Sequence, residues 1–378
     1  MRIAVAQDWM VSYAGSERVV EQILQAFPDA DLLTTLFDPV HLPASLREAR
    51  PSFLQHVPGA TRHHEWLLPL MPLAWAVRKP VDDVDAVVSS SHACAKAVRS
   101  APGIPHLCYC HTPMRYAWDF EMERRRFPVA VRPAARLSMA WFRRWDRATA
   151  DRVDVFVANS SAVAERITQC YGRSAQVIHP PVRTDIFTPG GERTDTFLFV
   201  GRLVGYKQPD LVVEAFSGLK ERLLVVGDGR LGGQLRSRAS TNVTFLGNVD
   251  EQALIELYRS ARALVFPAEE DFGIAMAEAQ ACGTPVIALD RGGARDIVEH
   301  GRTGWLLPSA TVEAVQEAVR VAGREELDPL EIRHRAERFS APRFREEMTL
   351  AVDDLVEAAR AGRLERLGRR IDSTGPGT

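Results

Sequence analysis

The sequence predicts two α/β domains, each a doubly wound, Rossmann-like parallel sheet, facing each other across a cleft. Three observations predict this. Short apolar strands alternate with helical stretches along most of the chain, the pattern of parallel sheets covered on both faces. The alternation restarts after a Pro/Gly-rich passage, His179–Gly191, as an interdomain linker would make it do. Glycines and charged residues recur just beyond the strand ends, the edge at which open α/β sheets bind ligands.

In the first half the strands are expected at Ile3–Gln7, Leu32–Leu36, Ala86–Ser89, His106–Cys110, Val153–Ala158 and Gln176–Ile178, with helices at Ser16–Phe27, Pro133–Thr149 and Ser161–Tyr171. In the second half they are expected at Phe197–Val200, Leu223–Val226, Val243–Leu246, Leu264–Phe266, Val286–Ala288 and Trp305–Leu307. Helices at Asp210–Phe216, Gln252–Ser260 and Val312–Val321 lie between them. The expected domains are 1–182 and 183–340. A helix at 341–360 returns to pack on the first domain, and 361–378 is a tail whose end, Ser373–Thr378, reads as disordered.

A chain of 378 residues with 46% apolar and 25% charged residues has the composition of a soluble globular protein. A net charge of −2 lacks the basic footprint of nucleic-acid binding. No stretch approaches the roughly 20 apolar residues that span a bilayer. The opening Met1–Asp8 reads as a strand, its apolar run too short for a signal peptide. Five cysteines, an odd number without framework spacing, are expected to be reduced and mostly buried in a cytoplasmic protein. Cys108, Cys110 and His111 are close in sequence, but alternate residues of one strand are usually core neighbours and no second ligand cluster appears; no metal site is expected.

The most informative run is Glu270–Glu278, two carboxylates eight positions apart with Phe272-Gly273 between them. It follows the strand Ala263–Phe266 and the Pro267 break and opens a helix that Gly283-Thr284-Pro285 stops. The start of a helix offers free N–H groups and a dipole that favours an anion. Phosphates over the helix tip, where Gly273 would let them near the backbone, with Glu270 reaching one end of a ligand and Glu278 the other, suit a nucleotide sugar. Two surface glutamates on an amphipathic helix would show the same spacing.

Other strand ends carry compatible groups. Phe197–Val200 runs into Gly201–Lys207, where Arg202 and Lys207 are suited to a pyrophosphate; two solvated surface cations are the alternative. Leu223–Val226 ends at Gly227-Asp228-Gly229, where a base or ribose could approach, or where the chain simply turns. In the first half, Gly15 lies in a small-residue loop entering a helix and would let an anion near, although Ser16 as a plain N-cap explains the loop equally. His111 stands just past a strand end, where it would project towards a ligand. His92 is ambiguous and is left out of the expected site.

Val200–Leu203 with Lys207, Gly227-Asp228-Gly229, Phe245–Gly247, Glu270–Glu278 followed by Ala281–Val286, and Gly292-Gly293 form an ordered series. With Val157–Ser160 and Pro180–Val182 it resembles the family 4 retaining glycosyltransferases of the GT-B fold, over roughly residues 1 to 358. The stretch His111–Asp119 is most similar to bacterial mannosyltransferases that build O-antigen or exopolysaccharide.

The resemblance implies an acceptor-side first domain and a nucleotide-sugar-binding second domain. Arg202 and Lys207 would hold the donor pyrophosphate, Glu278 the ribose and Glu270 the sugar hydroxyls, with the amides near Phe272, Gly273 and Ile274 over the sugar and phosphate. His111 would face the anomeric carbon, and Gly15 would line the phosphate or acceptor side. Two departures stand out: Ala14-Gly15-Ser16-Glu17 replaces a Gly-Gly pair before the glutamate, and Arg183 replaces an Asp after Pro-Pro-Val. The implied reaction moves a hexose, with mannose from GDP-mannose as first choice, to a glycan or polyprenyl-diphosphate-linked saccharide. It proceeds by front-face transfer without cofactor or metal, and the leaving phosphate takes the acceptor's proton.

Leu67–Val77 is apolar, and Arg124–Arg126, Arg132, Arg136, Arg143, Arg144 and Arg147 are interleaved with Trp141, Phe142 and Trp145. This suits either contact with an anionic membrane, on the inner face of the cell membrane, or a buried helix face with solvated arginines. The competing functions are a nucleotide-sugar epimerase of the same build and a non-catalytic scaffold in a polysaccharide complex. The first would need acid/base carboxylates beside the sugar, and the second would have lost the charged residues. A dehydrogenase fingerprint is absent after the first strand.

Overall fold

The computed structural model describes residues 1–46, 48–118 and 132–364, with the side chains of 116 and 132–135 left out. The expected arginines at 124–126, the Arg132 side chain and the tail end at 373–378 lie outside the described residues. The chain divides into two compact units, residues 1–179 with 344–378, and residues 180–343.

The first unit is built on β1 (Ile3–Gln7), β2 (Asp31–Thr34), β3 (Ala86–Ser91), β4 (His106–Cys110), β5 (Val155–Ala158) and β6 (Ala175–Val177), all parallel, in the order β2-β1-β3-β4-β5-β6. β1, β3 and β4 are buried at every residue, because helices cover both faces of a parallel sheet. Ile3, Val5, Ala86, Val88, Leu107 and Tyr109 face one core. The long helix Ala341–Arg360 packs Phe344, Met348, Val352 and Leu355 into it at helical spacing. On the opposite face Ala6 and Val87 pack with Met71, Trp75 and Phe142.

The second unit repeats the plan with β7 (Thr196–Val200), β8 (Arg222–Val226), β9 (Val243–Gly247), β10 (Leu264–Phe266), β11 (Val286–Leu289) and β12 (Gly304–Leu307), in the order β12-β11-β10-β7-β8-β9, again parallel. Alternate residues divide between two cores, with Leu198, Leu264 and Phe266 on one face and Phe197, Phe199 and Val265 on the other. All five cysteines are buried, and among the described residues none forms a disulfide.

The apolar and basic segments each divide between core and surface. In residues 67–77 Met71 and Trp75 are buried, whereas Leu70, Leu73 and Val77, with Trp66 just before them, are exposed. On the helix Arg132–Ala150 the aromatics do not share a face. Phe142 enters the core, Trp145 lies by Lys96, and Trp141 points outward with Leu137. The helical period separates Trp141 from Phe142, since residues one apart diverge by about 100°, and sets the half-buried Trp145 between them.

Buried histidine makes the first unit sensitive to acid. His106 accepts from the Ser89 hydroxyl at 2.8 Å through Nε2 and donates from Nδ1 to the Arg152 carbonyl at 3.2 Å. Burial lowers its pKa to about 4. The unfolded imidazole, near 6.5, binds a proton first. Stability is therefore expected to fall as pH drops from about 6.5 towards 4 and to level off below that. Thermal melts across this range should show the slope, and His106→Gln should reduce it.

Candidate functional site

In the second unit the strand order reverses between β7 and β10, because β8 and β9 are added on one side and β11 and β12 on the other. Ligands of open α/β sheets bind beyond the strand ends at such a point. The loop after β7 carries Arg202 and Lys207, and the loop after β10 carries Glu270. Lys207 Nζ and Glu270 Oε1 are 2.5 Å apart. The ammonium also lies over the Phe266 ring at 5.2 Å and the Tyr206 ring at 5.6 Å, a partly apolar setting that strengthens its attraction for an anion. Arg202 is exposed, and its Nη2 donates to the Tyr206 hydroxyl at 2.5 Å.

Backbone packing fixes these loops. Gly201 donates to Val226 at 3.0 Å and Leu203 to Asp228 at 2.9 Å. Gly227 has φ +117, and a Cβ there would lie 2.1 Å from the Gly201 carbonyl oxygen. The close approach at Gly227 is thus made by the chain's own backbone, and it holds the Arg202 loop in place. On the other side Gly293 donates to the Glu270 carbonyl at 2.9 Å. A Cβ on Gly292 would lie 2.2 Å from that oxygen, and one on Gly293 would lie 2.3 Å from the Phe272 carbonyl oxygen. Phe272 is buried edge-on against Phe339 at 5.4 Å.

The helix Ile274–Ala281 begins after Gly273, which has φ +101. The first-turn N–H groups, Ile274 among them, have no acceptor inside the helix. Glu278 sits in the second turn, 7% exposed, where Tyr258 donates to its Oε2 at 3.3 Å. The second unit therefore brings Arg202, Lys207, Gly227, Glu270, Phe272, Gly273 and Ile274 to the strand ends at or beside one reversal point, and sets Glu278 in the helix behind them.

The first unit holds the other two expected residues. His111 follows β4; its N–H donates to Ser91 at 2.9 Å and its Nε2 lies 2.8 Å from the Ser90 hydroxyl. Burial, then the charge of His92, lowers its pKa to about 3, so the ring is neutral at ordinary pH. Gly15 opens the helix Gly15–Ala26, but the cap position is Ala14 rather than Ser16. The work falls to Glu17, which accepts from the Ala14 N–H at 3.1 Å and the Ser16 hydroxyl at 3.0 Å. Glu17 is 2% exposed, and burial raises its pKa. Sequence reasoning missed Asp8, Glu17 and His92 as a group. The available signal was an acidic residue ending the apolar run of β1.

Among the described residues no group of three or more His, Cys, Asp or Glu side chains could hold a metal ion, and no helix is long and apolar enough to cross a membrane.

Two parallel six-stranded sheets, each ending in a charged or histidine-bearing reversal point, define the class: an α/β protein of the GT-B fold. The comparisons agree. HepE from Anabaena, solved with UDP and glucose, is similar at a TM-score of 0.69 and 17% identity, over 94% of this chain and 100% of that one. Sucrose-phosphate synthase from Thermosynechococcus elongatus is similar at a TM-score of 0.62 and 20% identity, over 97% and 98%. The model described as Glycosyltransferase Family 4 matches residues 13–186, and that described as Glycosyl transferases group 1 matches residues 184–339. The matches follow one another along the chain, so the first half is similar to the family 4 glycosyltransferases and the second to the group 1 glycosyl transferases. A D-inositol 3-phosphate glycosyltransferase of Geodermatophilus obscurus is 34% identical over 266 residues, 61% of this chain and 57% of that protein. One of Mycobacteroides abscessus is 33% identical over 195 residues, 45% and 44%. The chain spans about half the length of the curated relatives it matches.

The contact at Gly227 gives a direct test of how the Arg202 loop is held. Gly227→Ala is expected to cost well over 1 kcal/mol, read from the urea midpoint. Gly233→Ala, at a helical position with nothing within 4 Å of the added carbon, should cost nothing.

Proposed function

We propose that this chain transfers a hexose from a nucleoside-diphosphate sugar to an acceptor hydroxyl, with retention at the anomeric carbon. The observation that carries the reading is the Lys207–Glu270 pair at the reversal point, flanked by Arg202 and backed by Glu278. Breaking the anomeric bond builds negative charge on the departing diphosphate. Lys207, Arg202 and the N–H groups at Gly273 and Ile274 are fixed donors for that charge, and fixed donors stabilise a transition state without reorganising. Glu270 would hold the sugar hydroxyls, Glu278 the ribose, and Gly227 would border the nucleotide. Gly15 would lie by the phosphate or acceptor. His111 is neutral and so can share a hydrogen bond with the sugar without repelling the cationic transition state. The proton of the acceptor hydroxyl leaves with the diphosphate oxygen.

Mannose from GDP-mannose, passed to a glycan or lipid-linked saccharide of a surface polysaccharide, remains the first substrate pair in this reading, with the resemblance at His111–Asp119 behind it. The names of the relatives bring inositol 3-phosphate into the acceptor choice, and the structural neighbour bound to UDP and glucose brings UDP-glucose into the donor choice. A screen of purified protein with GDP-mannose and UDP-glucose against inositol 3-phosphate and a lipid-linked saccharide decides among them. Transfer should persist in EDTA. Lys207→Ala should lower kcat/KM by roughly 100-fold or more; unchanged turnover would remove Lys207 from the mechanism.

A peripheral membrane contact of the first unit belongs to the same reading. Trp66, Leu70, Leu73 and Val77 are exposed on one segment, and Leu137 and Trp141 on the helix Arg132–Ala150, where Arg136 and Arg144 are also exposed. Apolar side chains ringed by cations suit an anionic bilayer at the inner face of the cell membrane. Vesicles containing phosphatidylserine should float the protein at low salt and release it at high salt; absence of binding at low salt removes the contact.

A further inference from the structure

The first unit has its own reversal point, between β1 and β3, because β2 is added on one side of β1 and β3 to β6 on the other. Asp8 follows β1 there and is fully buried. Its carboxylate accepts four consecutive backbone N–H groups from the turn after β3: His92 at 2.7 Å, Ala93 at 2.9 Å, Cys94 at 2.5 Å and Ala95 at 2.6 Å. Asp8 Oδ2 also lies 3.2 Å from His92 Nδ1. Hydrogens therefore arrive at Asp8 from five donors, and it has none to give. His92 Nδ1 must therefore carry a proton, and in the neutral ring this leaves the Nε2 lone pair as an acceptor.

The surroundings of that lone pair are those of a binding position. The His92 side chain is 23% exposed above the buried Asp8. Trp9 lies against it edge to face at 4.6 Å, with His64 at 5.3 Å from Trp9. His111 is 6.2 Å away and Glu17 interacts with it electrostatically. The turn itself is anchored from below by Lys96, whose ammonium pairs with the buried Asp146 and donates to the Ala93 carbonyl at 3.3 Å. Four of the five contacts made by Asp8 hold the turn, and the fifth orients the imidazole that the turn carries.

We propose that His92, aimed by Asp8, receives the acceptor: its Nε2 takes a hydrogen bond from an acceptor hydroxyl beside the one that reacts, and Trp9 covers an apolar face of the acceptor ring. The acceptor class is a polyhydroxylated ring, a pyranose or a cyclitol, since such a ring offers both a hydroxyl donor and a C–H face to an aromatic side chain. This rests on the transfer reading above. It assigns Asp8 as a positioning residue and His92 as a residue that touches the acceptor, and it leaves the proton's destination as already described.

Two measurements test it. The first needs no turnover. Nitrogen-15 NMR of the imidazoles should show His92 with its proton on Nδ1, and a proton on Nε2 overturns the proposal. The second compares His92→Leu, His92→Gln and Asp8→Asn, with GDP-mannose and UDP-glucose as donors and inositol 3-phosphate and methyl α-mannopyranoside as probe acceptors. His92→Leu should lower the ratio of transfer to donor hydrolysis at least about tenfold, the loss of one hydrogen bond, and should raise the acceptor KM more than the donor KM. His92→Gln, whose amide oxygen can accept in place of Nε2, should recover most of the ratio. Asp8→Asn should behave like the Leu variant although the imidazole remains, because the amide can donate to Nδ1 and move the proton to Nε2. Transfer by His92→Leu at the wild-type ratio overturns the proposal. A wild-type protein that neither hydrolyses nor transfers overturns the transfer reading instead, and the NMR result still decides the state of His92.

Discussion

The ion pair between Lys207 and Glu270 is the interaction on which the site of the second unit depends. Its partners stand on loops that follow two neighbouring strands, and they meet only because the strand order reverses between β7 and β10. Each loop is then fixed by backbone packed where a side chain would fit in an ordinary turn. Gly227 admits the Gly201 carbonyl on one side, and Gly292 and Gly293 admit the Glu270 and Phe272 carbonyls on the other. The charged atoms are positioned by glycines that carry no charge.

The first unit solves a similar problem with a different device. Its reversal point is organised by a buried carboxylate, Asp8, that gathers the N–H groups of the neighbouring turn. Beneath it Asp146 collects Lys96, Trp118 at 2.8 Å and Tyr171 at 2.8 Å. A buried pair of this kind is costly to desolvate and contributes little net stability, but breaking one partner is expensive. Its effect is to tie the helices Arg115–Trp118, Arg132–Ala150 and Ser161–Tyr171 to the turn that holds Asp8.

Much of the fold was legible because parallel strands are short, apolar and bounded by glycine, proline or charge. Phe197–Val200 and Leu264–Phe266 announced themselves in this way, and Arg202, Lys207 and Glu270 lie just past them, where the structure brings Lys207 and Glu270 together. Other features lay beyond the sequence. The partner of Gly227 is Gly201, 26 positions earlier, and no local pattern records that approach. Asp8 and His92 are 84 residues apart and meet only through sheet pairing. Glu17 shows only as an acid in a first helical turn, and its burial comes from what packs over it. The aromatic residues of the helix Arg132–Ala150 divide between core and surface, a division that composition averages away.

One consequence follows from the placement of Lys207. Its ammonium leans on an internal carboxylate and two aromatic faces in place of much of its hydration. In the proposed transfer, an arriving anion would swap places with a tethered rival. The exchange would set free Glu270 for the carbohydrate, so that binding one half of the donor would ready the grip on the other.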